Sequence, residues 1–164
     1  MAIIRDGLLA LATVGPAYGL QLRNELSQRI GRNLNGGQVY ATLERLMRDK
    51  LIHEIDRTHD GLSLLTATPL GHESARKWLT LPESDWNEMV AKILLSLSLP
   101  EHSTAELISA CRAHWQNRAQ SEDSSKRAGE SLYAQAEMIH TQAALAWLDE
   151  AALAHDDGYA FSPV

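Results

Sequence analysis

From Gly36 to Lys50 the chain sets small and hydrogen-bonding side chains beside cations, the combination that reading a nucleic acid requires. Gly36, Gly37, Gln38, Ala41 and Thr42 are slim or polar enough to approach base edges, and Tyr40 and Arg45 can meet a phosphate or a base. Arg48 and Lys50 lie deeper and point to backbone or solvent. These residues also have plainer readings. Arg45, Arg48 and Lys50 fall near the end of a helical pattern, where positive charge complements the helix macrodipole. Tyr40 has a second reading as a staple between this helix and the first one.

Other chemistries find less support. Seven histidines and one cysteine show no His-x₃-His or Cys-x₂-Cys spacing, so neither a metal site nor any cofactor is expected. Cys111 has Arg112 and His114 close in sequence but no third group to orient a nucleophile, which makes it a buried thiol. Gly36-Gly37 before a helix falls far short of a phosphate-cradling motif, and an enzyme is not expected. Trp78, Trp86, Trp115 and Trp147 read first as core or interface packing. For Trp86, Trp115 and Trp147 the other reading is an effector or dimer pocket.

The elements that would hold these groups follow from periodicity. Ile4, Leu8, Leu11 and Ala12 recur at helical spacing from Ile3 to Val14, and Gly15-Pro16 ends that run. A second helix is predicted over Ala17–Ile30, through Leu22, Leu26 and Ile30, with Gly31 as its cap. Turn formers fill 31–37. The third helix is predicted from Gln38 to Lys50, with Val39, Leu43, Leu46 and Met47 as its apolar stripe. The period then switches to two: Leu51–Arg57, a turn at Thr58-His59-Asp60-Gly61, and a returning strand from Leu62 to Ala67. Thr68-Pro69 opens a fourth helix that runs to Leu79. A two-stranded ribbon cannot stand alone, so it must lie on the helices before it.

Leu81-Pro82-Glu83-Ser84-Asp85 divides the chain, giving one domain over 1–80 and a second over 86–155. Beyond it the pattern is helical: Trp86–Leu99, a helix opened by the capping box at Ser103-Thr-Ala-Glu106 and running past Trp115, a polar stretch at 120–129, and a last helix over Glu130–Leu153. That last segment carries Leu132, Ala136, Ile139, Ala143, Ala146 and Leu153 near heptad spacing, more apolar surface than a solvated helix needs. A second chain is the expected cover.

The 164 residues carry a net charge of −6, which hides an asymmetry. Residues 1–80 hold ten basic and eight acidic side chains, whereas 81–164 hold five and thirteen. Contact with DNA would therefore depend on a few cations concentrated on one surface. A single cysteine and no signal or membrane-spanning segment point to the cytoplasm, with no membrane partner.

Four stretches taken together resemble the successive signatures of the PadR family of bacterial transcriptional regulators. They are Gly15-Pro16-Ala17-Tyr18-Gly19-Leu20-Gln21-Leu22, Val39-Tyr40-Ala41-Thr42-Leu43-Glu44-Arg45-Leu46, Leu51-Ile52 and Thr68-Pro69-Leu70-Gly71. The resemblance covers residues 5–80, and beyond 85 only the helical pattern is similar to the longer members. It implies a mainly α protein: an N-terminal winged helix-turn-helix with a two-stranded wing, followed by a C-terminal helical dimerisation domain. It further implies a homodimer on a palindromic duplex operator, acting as a repressor and released by a small aromatic effector. The site residues expected to meet DNA are Gly37, Gln38, Tyr40, Ala41, Thr42, Arg45 and Arg48, with Arg57 on the wing. Family wings commonly carry several cations, whereas this one reads His59-Asp60-Gly61-Leu62-Ser63-Leu64-Leu65. Tyr18 and Leu20 stand where histidine and tyrosine are frequent. A winged-helix module that binds another protein instead of DNA is the rival reading.

Overall fold

Helix α1 (Ala2–Val14) buries Ile3, Ile4, Leu8, Leu9, Leu11 and three of its small residues, so little of its circumference meets water. It is the central rod of the N-terminal half, touched by α2 (Gly19–Arg29), α3 (Gly36–Arg48), α4 (Pro69–Thr80) and α5 (Trp86–Leu97). The computed structural model describes residues 2–100, 104–124 and 132–158. Each leucine buried against α1 contributes about 1.5–3 kcal/mol, which is why the surrounding helices turn their apolar stripes inward.

Among the boundaries that differ from the periodicity, two bear on the outward helix and the sheet beside it. Ala17 and Tyr18 form a short strand, β1 (Ala17–Tyr18), instead of opening α2, because they pair antiparallel with Leu65 and Leu64. Helix α2 therefore starts at Gly19, and the Tyr18 N–H donates to Gln21 Oε1 at 2.9 Å. Helix α3 starts earlier than expected, at Gly36, because Asn35 caps it: its side-chain oxygen accepts from the Gln38 N–H at 3.2 Å. The paired glycines thus form a first helical turn that no side chain crowds.

Strands β2 (Ile52–Arg57) and β3 (Ser63–Ala67) make the hairpin, and β1 adds a third strand in the order β1-β3-β2. The ladder is irregular between Glu54 and Asp56, leaving Ile55 without a partner. Lys50, at φ 59°, turns the chain from α3 into this sheet, and its carbonyl accepts from the Thr68 hydroxyl at 2.8 Å. Thr68 also caps α4 through the Gly71 N–H. At Gly71 the helix passes so near the strand entry that a Cβ would come 2.0 Å from the Leu51 carbonyl oxygen. Only glycine permits that contact.

Helix α5 belongs to two cores. Ala91, Leu95 and, just beyond the helix, Leu99 join the core around α1, while Met89 and Ile93 join a second core. That second core contains Leu107, Ile108, Cys111 and Trp115 of α6 (Thr104–Ser124) and Ala144, Leu148 and Ala151 of α7 (Leu132–Asp156). Polar ties reinforce the junction: the Ile3 N–H donates to Glu88 Oε2 at 2.8 Å, and Arg29 Nη1 to the Ser98 carbonyl at 2.7 Å. Lys92 is wholly buried there, donating to the Leu81 carbonyl at 2.6 Å and to Glu83 Oε1 at 3.1 Å, with its ammonium 4.6 Å from the centre of the Trp78 ring. Burial pulls the Lys92 pKa down and Glu83 opposes that shift. Trp115 Nε1 donates to the Glu83 carbonyl at 3.1 Å, so the 81–83 connection is held from α5 and from α6. The capping box at Ser103 and the stretch 125–131 lie outside the described residues; α6 is helical through the start of the polar stretch, to Ser124.

Candidate nucleic-acid interface

Val39, Thr42, Leu43 and Leu46 hold α3 to the body, which turns the remaining face outward. Gly37, Gln38, Tyr40, Ala41, Glu44, Arg45 and Arg48 are exposed on it. A helix is about 10–12 Å across and the major groove about 12 Å wide, so this face meets base edges only if its side chains are slim. Gly37 and Ala41 supply the room, while Gln38, Arg45 and Arg48 supply donors and acceptors.

Thr42 departs from the expectation. It is 3% exposed, its hydroxyl donates to the Gln38 carbonyl at 2.7 Å, and it accepts from Arg45 Nη2 at 3.0 Å. Facing the core, it supports the neighbouring arginine and does not reach a base. Arg45 Nε also donates to the Ala41 carbonyl at 3.2 Å, so the guanidinium is laid back along its own helix. Arg48 and Lys50 are exposed, and among the described residues neither has an ion-pair partner. Tyr40 is half exposed, and its ring lies over the start of α2: a Cβ on Gly19 would come 2.8 Å from Tyr40 Cε1. It therefore packs on the second helix, where the staple reading had placed it on the first.

The wing has a different electrostatic character. Arg57 is exposed, but Glu54 holds its guanidinium through Nε at 3.0 Å and Nη2 at 2.7 Å. The Arg57 hydrogen bonds, with a further one to Ser63, bring the Glu54 carboxyl down to about 2. Over Ile52–Ala67 three carboxylates, Glu54, Asp56 and Asp60, stand against this one arginine. Sequence alone placed Arg57 on the wing without revealing that its charge is already answered. The signal was present in the i, i+3 spacing, but an extended strand does not bring such residues together; the irregular ladder at Ile55 does.

The three tryptophans of the helical region come close to one another around His140. Trp86 meets Trp147 edge-on at 5.7 Å between ring centres and His140 at 6.1 Å, while Trp115 lies 5.4 Å from His140. Trp115 is fully buried and takes part in the core, whereas Trp86 and Trp147 are partly exposed. Cys111 is buried and its thiol pKa is pushed up by that burial, the environment of an unreactive group. Among the described residues no three His, Cys, Asp or Glu side chains come together to hold a metal ion, and no helix is long and apolar enough to cross a membrane.

Three helices, a β-hairpin wing with a short third strand, and a fourth helix define a winged helix-turn-helix, continued here by a helical region. Residues 8–77 match the family model described as "Transcriptional regulator PadR-like family", so the winged part is a PadR-like domain. Among solved structures the chain is similar to the crystal structure of Bacillus subtilis PadR in complex with operator DNA, at 18% sequence identity and a TM-score of 0.44, over 93% of this chain and 98% of that one. No curated protein matches the chain.

Proposed function

We propose that this chain binds duplex DNA sequence-specifically through α3 and represses transcription as a homodimer on a palindromic operator. The observation that carries the reading is the outward face of α3, where slim residues at Gly37 and Ala41 stand among Gln38, Arg45 and Arg48 on a helix capped by Asn35. The PadR-like match over 8–77 supports the same reading. Residues 1–80 serve DNA and 86–155 serve the dimer, with two α3 helices about 34–36 Å apart on one face of the duplex. The test is titration against duplexes selected from genomic DNA. Affinity should fall as salt rises, with a slope of about −0.9 per phosphate neutralised; duplex binding without salt dependence, or none at all, overturns it.

The wing favours one rival, a winged-helix module that docks on a protein, because its carboxylates outnumber its lone arginine and that arginine is already paired. The same titration separates the two, since a protein-docking module has no salt-dependent affinity for duplex. The ring cluster of Trp86, Trp115, Trp147 and His140 is the place where a small aromatic effector would stack.

A further inference from the structure

We infer that Lys92 is a positioning residue for operator binding: its buried ammonium fixes the 81–83 connection, and with it the seat of the winged half on the helical region, so that the two α3 helices of a dimer stand at one separation. This role rests on the homodimer reading above and names what sets its half-site spacing. Four helices and the connection meet around Lys92. From α5 it donates to the Leu81 carbonyl at 2.6 Å and to Glu83 Oε1 at 3.1 Å, and its ammonium stands 4.6 Å from the centre of the Trp78 ring of α4. From the other side Trp115 of α6 donates through Nε1 to the Glu83 carbonyl at 3.1 Å. Asp6 of α1 is near enough to feel the Lys92 charge.

Stability does not account for a cation at this place. Lys92 is wholly buried, and a buried ion pair replaced by apolar side chains of similar volume often leaves a protein as stable or more so. Trp78 Nε1 is buried with no hydrogen-bond partner among the described residues, a second cost at the same junction. What an apolar side chain would lack is direction. The two cores that share α5 are held by contacts of Ala91 and Leu95 on one side and Met89 and Ile93 on the other, and such contacts let packed helices slide by small amounts. A buried ammonium whose donors are taken by the connection does not allow that slide, because any shift leaves a donor unmet. With the dimer made by 86–155 and α3 carried by 1–80, the seat of one on the other decides where each α3 meets the duplex. Successive base pairs are about 3.4 Å apart, so a shift of that size changes the preferred spacing by a whole base pair.

Lys92→Met in the full chain tests this, using half-sites from the selected duplexes, alone and in pairs re-spaced by one base pair in either direction. The variant should stay folded and dimeric, bind a single half-site as the wild type does, and bind the best-spaced pair about tenfold more weakly, because the second half-site is engaged less often. Its preference among spacings should flatten. Wild-type affinity with an unchanged preference overturns the role, as does a loss shared equally by the single half-site. If Lys92→Met does not fold, Lys92→Met with Glu83→Gln, which leaves no carboxylate behind, takes its place; failure of both to fold would make Lys92 a stabilising residue and overturn the role as well. A wild-type chain that binds paired half-sites no better than one would instead overturn the homodimer reading itself.

Discussion

Helices α3 and α7 use the same internal logic and leave opposite surfaces outside. Each buries a stripe of four residues, Val39, Thr42, Leu43 and Leu46 in one and Thr141, Ala144, Leu148 and Ala151 in the other. Outside, α3 keeps cations and hydrogen-bonding groups among small residues, whereas α7 as far as Leu148 keeps alanines and large apolar side chains, and its exposed carboxylates, Asp149, Glu150 and Asp156, lie towards its end. The buried stripe explains where each helix lies in the fold; the exposed stripe is what separates the roles proposed for the two. Burial is therefore a poor guide to function in this molecule, and the composition of the uncovered face is the informative quantity.

The largest effects should be shared by the two helices. Leu43→Ala and Leu148→Ala each remove a side chain that is almost wholly buried, and each should cost about 2–5 kcal/mol in chemical denaturation. A loss below 1 kcal/mol in either would break the equivalence of the inner stripes. The outer stripes should then separate. Ile139→Asp should dissociate the dimer with little change in the circular dichroism spectrum. Arg48→Ala should leave the dimer intact, lower duplex affinity about tenfold and reduce the salt slope by about one. If Arg48→Ala changed the oligomer and not the duplex affinity, the assignment of α3 to DNA would fail.

Smaller effects sharpen the contrast within the N-terminal half. Thr42→Val removes the hydroxyl that accepts from Arg45, so duplex affinity should fall by a few fold, in line with about 1 kcal/mol for one hydrogen bond. Unchanged binding would mean that Arg45 takes its working position without Thr42. Replacing Asp56 and Asp60 together by asparagine should strengthen duplex binding and steepen its salt dependence, because the wing would lose its excess of carboxylates; weaker binding would show that these groups make favourable contacts.

The smallest effect concerns Glu54, whose carboxyl titrates at about 2 beside Arg57. Its folded value lies below its unfolded one, so the pair's support of the wing is fully present above the ordinary carboxylate range and is lost as pH falls towards 2. In Arg57→Ala the Glu54 carboxyl resonance should titrate at a higher pH than in the wild type. An unchanged midpoint would show that Arg57 is not its partner in solution.

Much of this architecture is legible without coordinates. Repeating apolar positions marked the helices, and the change to a period of two at Leu51 marked the hairpin. Thr68-Pro69 marked the start of α4, and the apolar excess of the last segment marked its exposed seam. Each of these signals is local, because it depends on residues within a turn or two of one another. The misses are of another kind. Strand β1 exists only because Ala17 and Tyr18 meet Leu65 and Leu64, far away in sequence, and two residues carry no periodicity of their own.

Composition, pattern and order by themselves determined the class of fold, the helix that faces outward with cations and the helix that needs a cover. Tertiary structure alone decided that Thr42 faces inward to brace Arg45, that Glu54 answers the charge of Arg57, and that α5 serves two cores around a buried Lys92. The reason is range. Periodicity and capping are written in neighbouring residues, whereas the direction a side chain takes on a half-buried helix, and the partner that neutralises it, depend on atoms that the folded chain brings together from elsewhere.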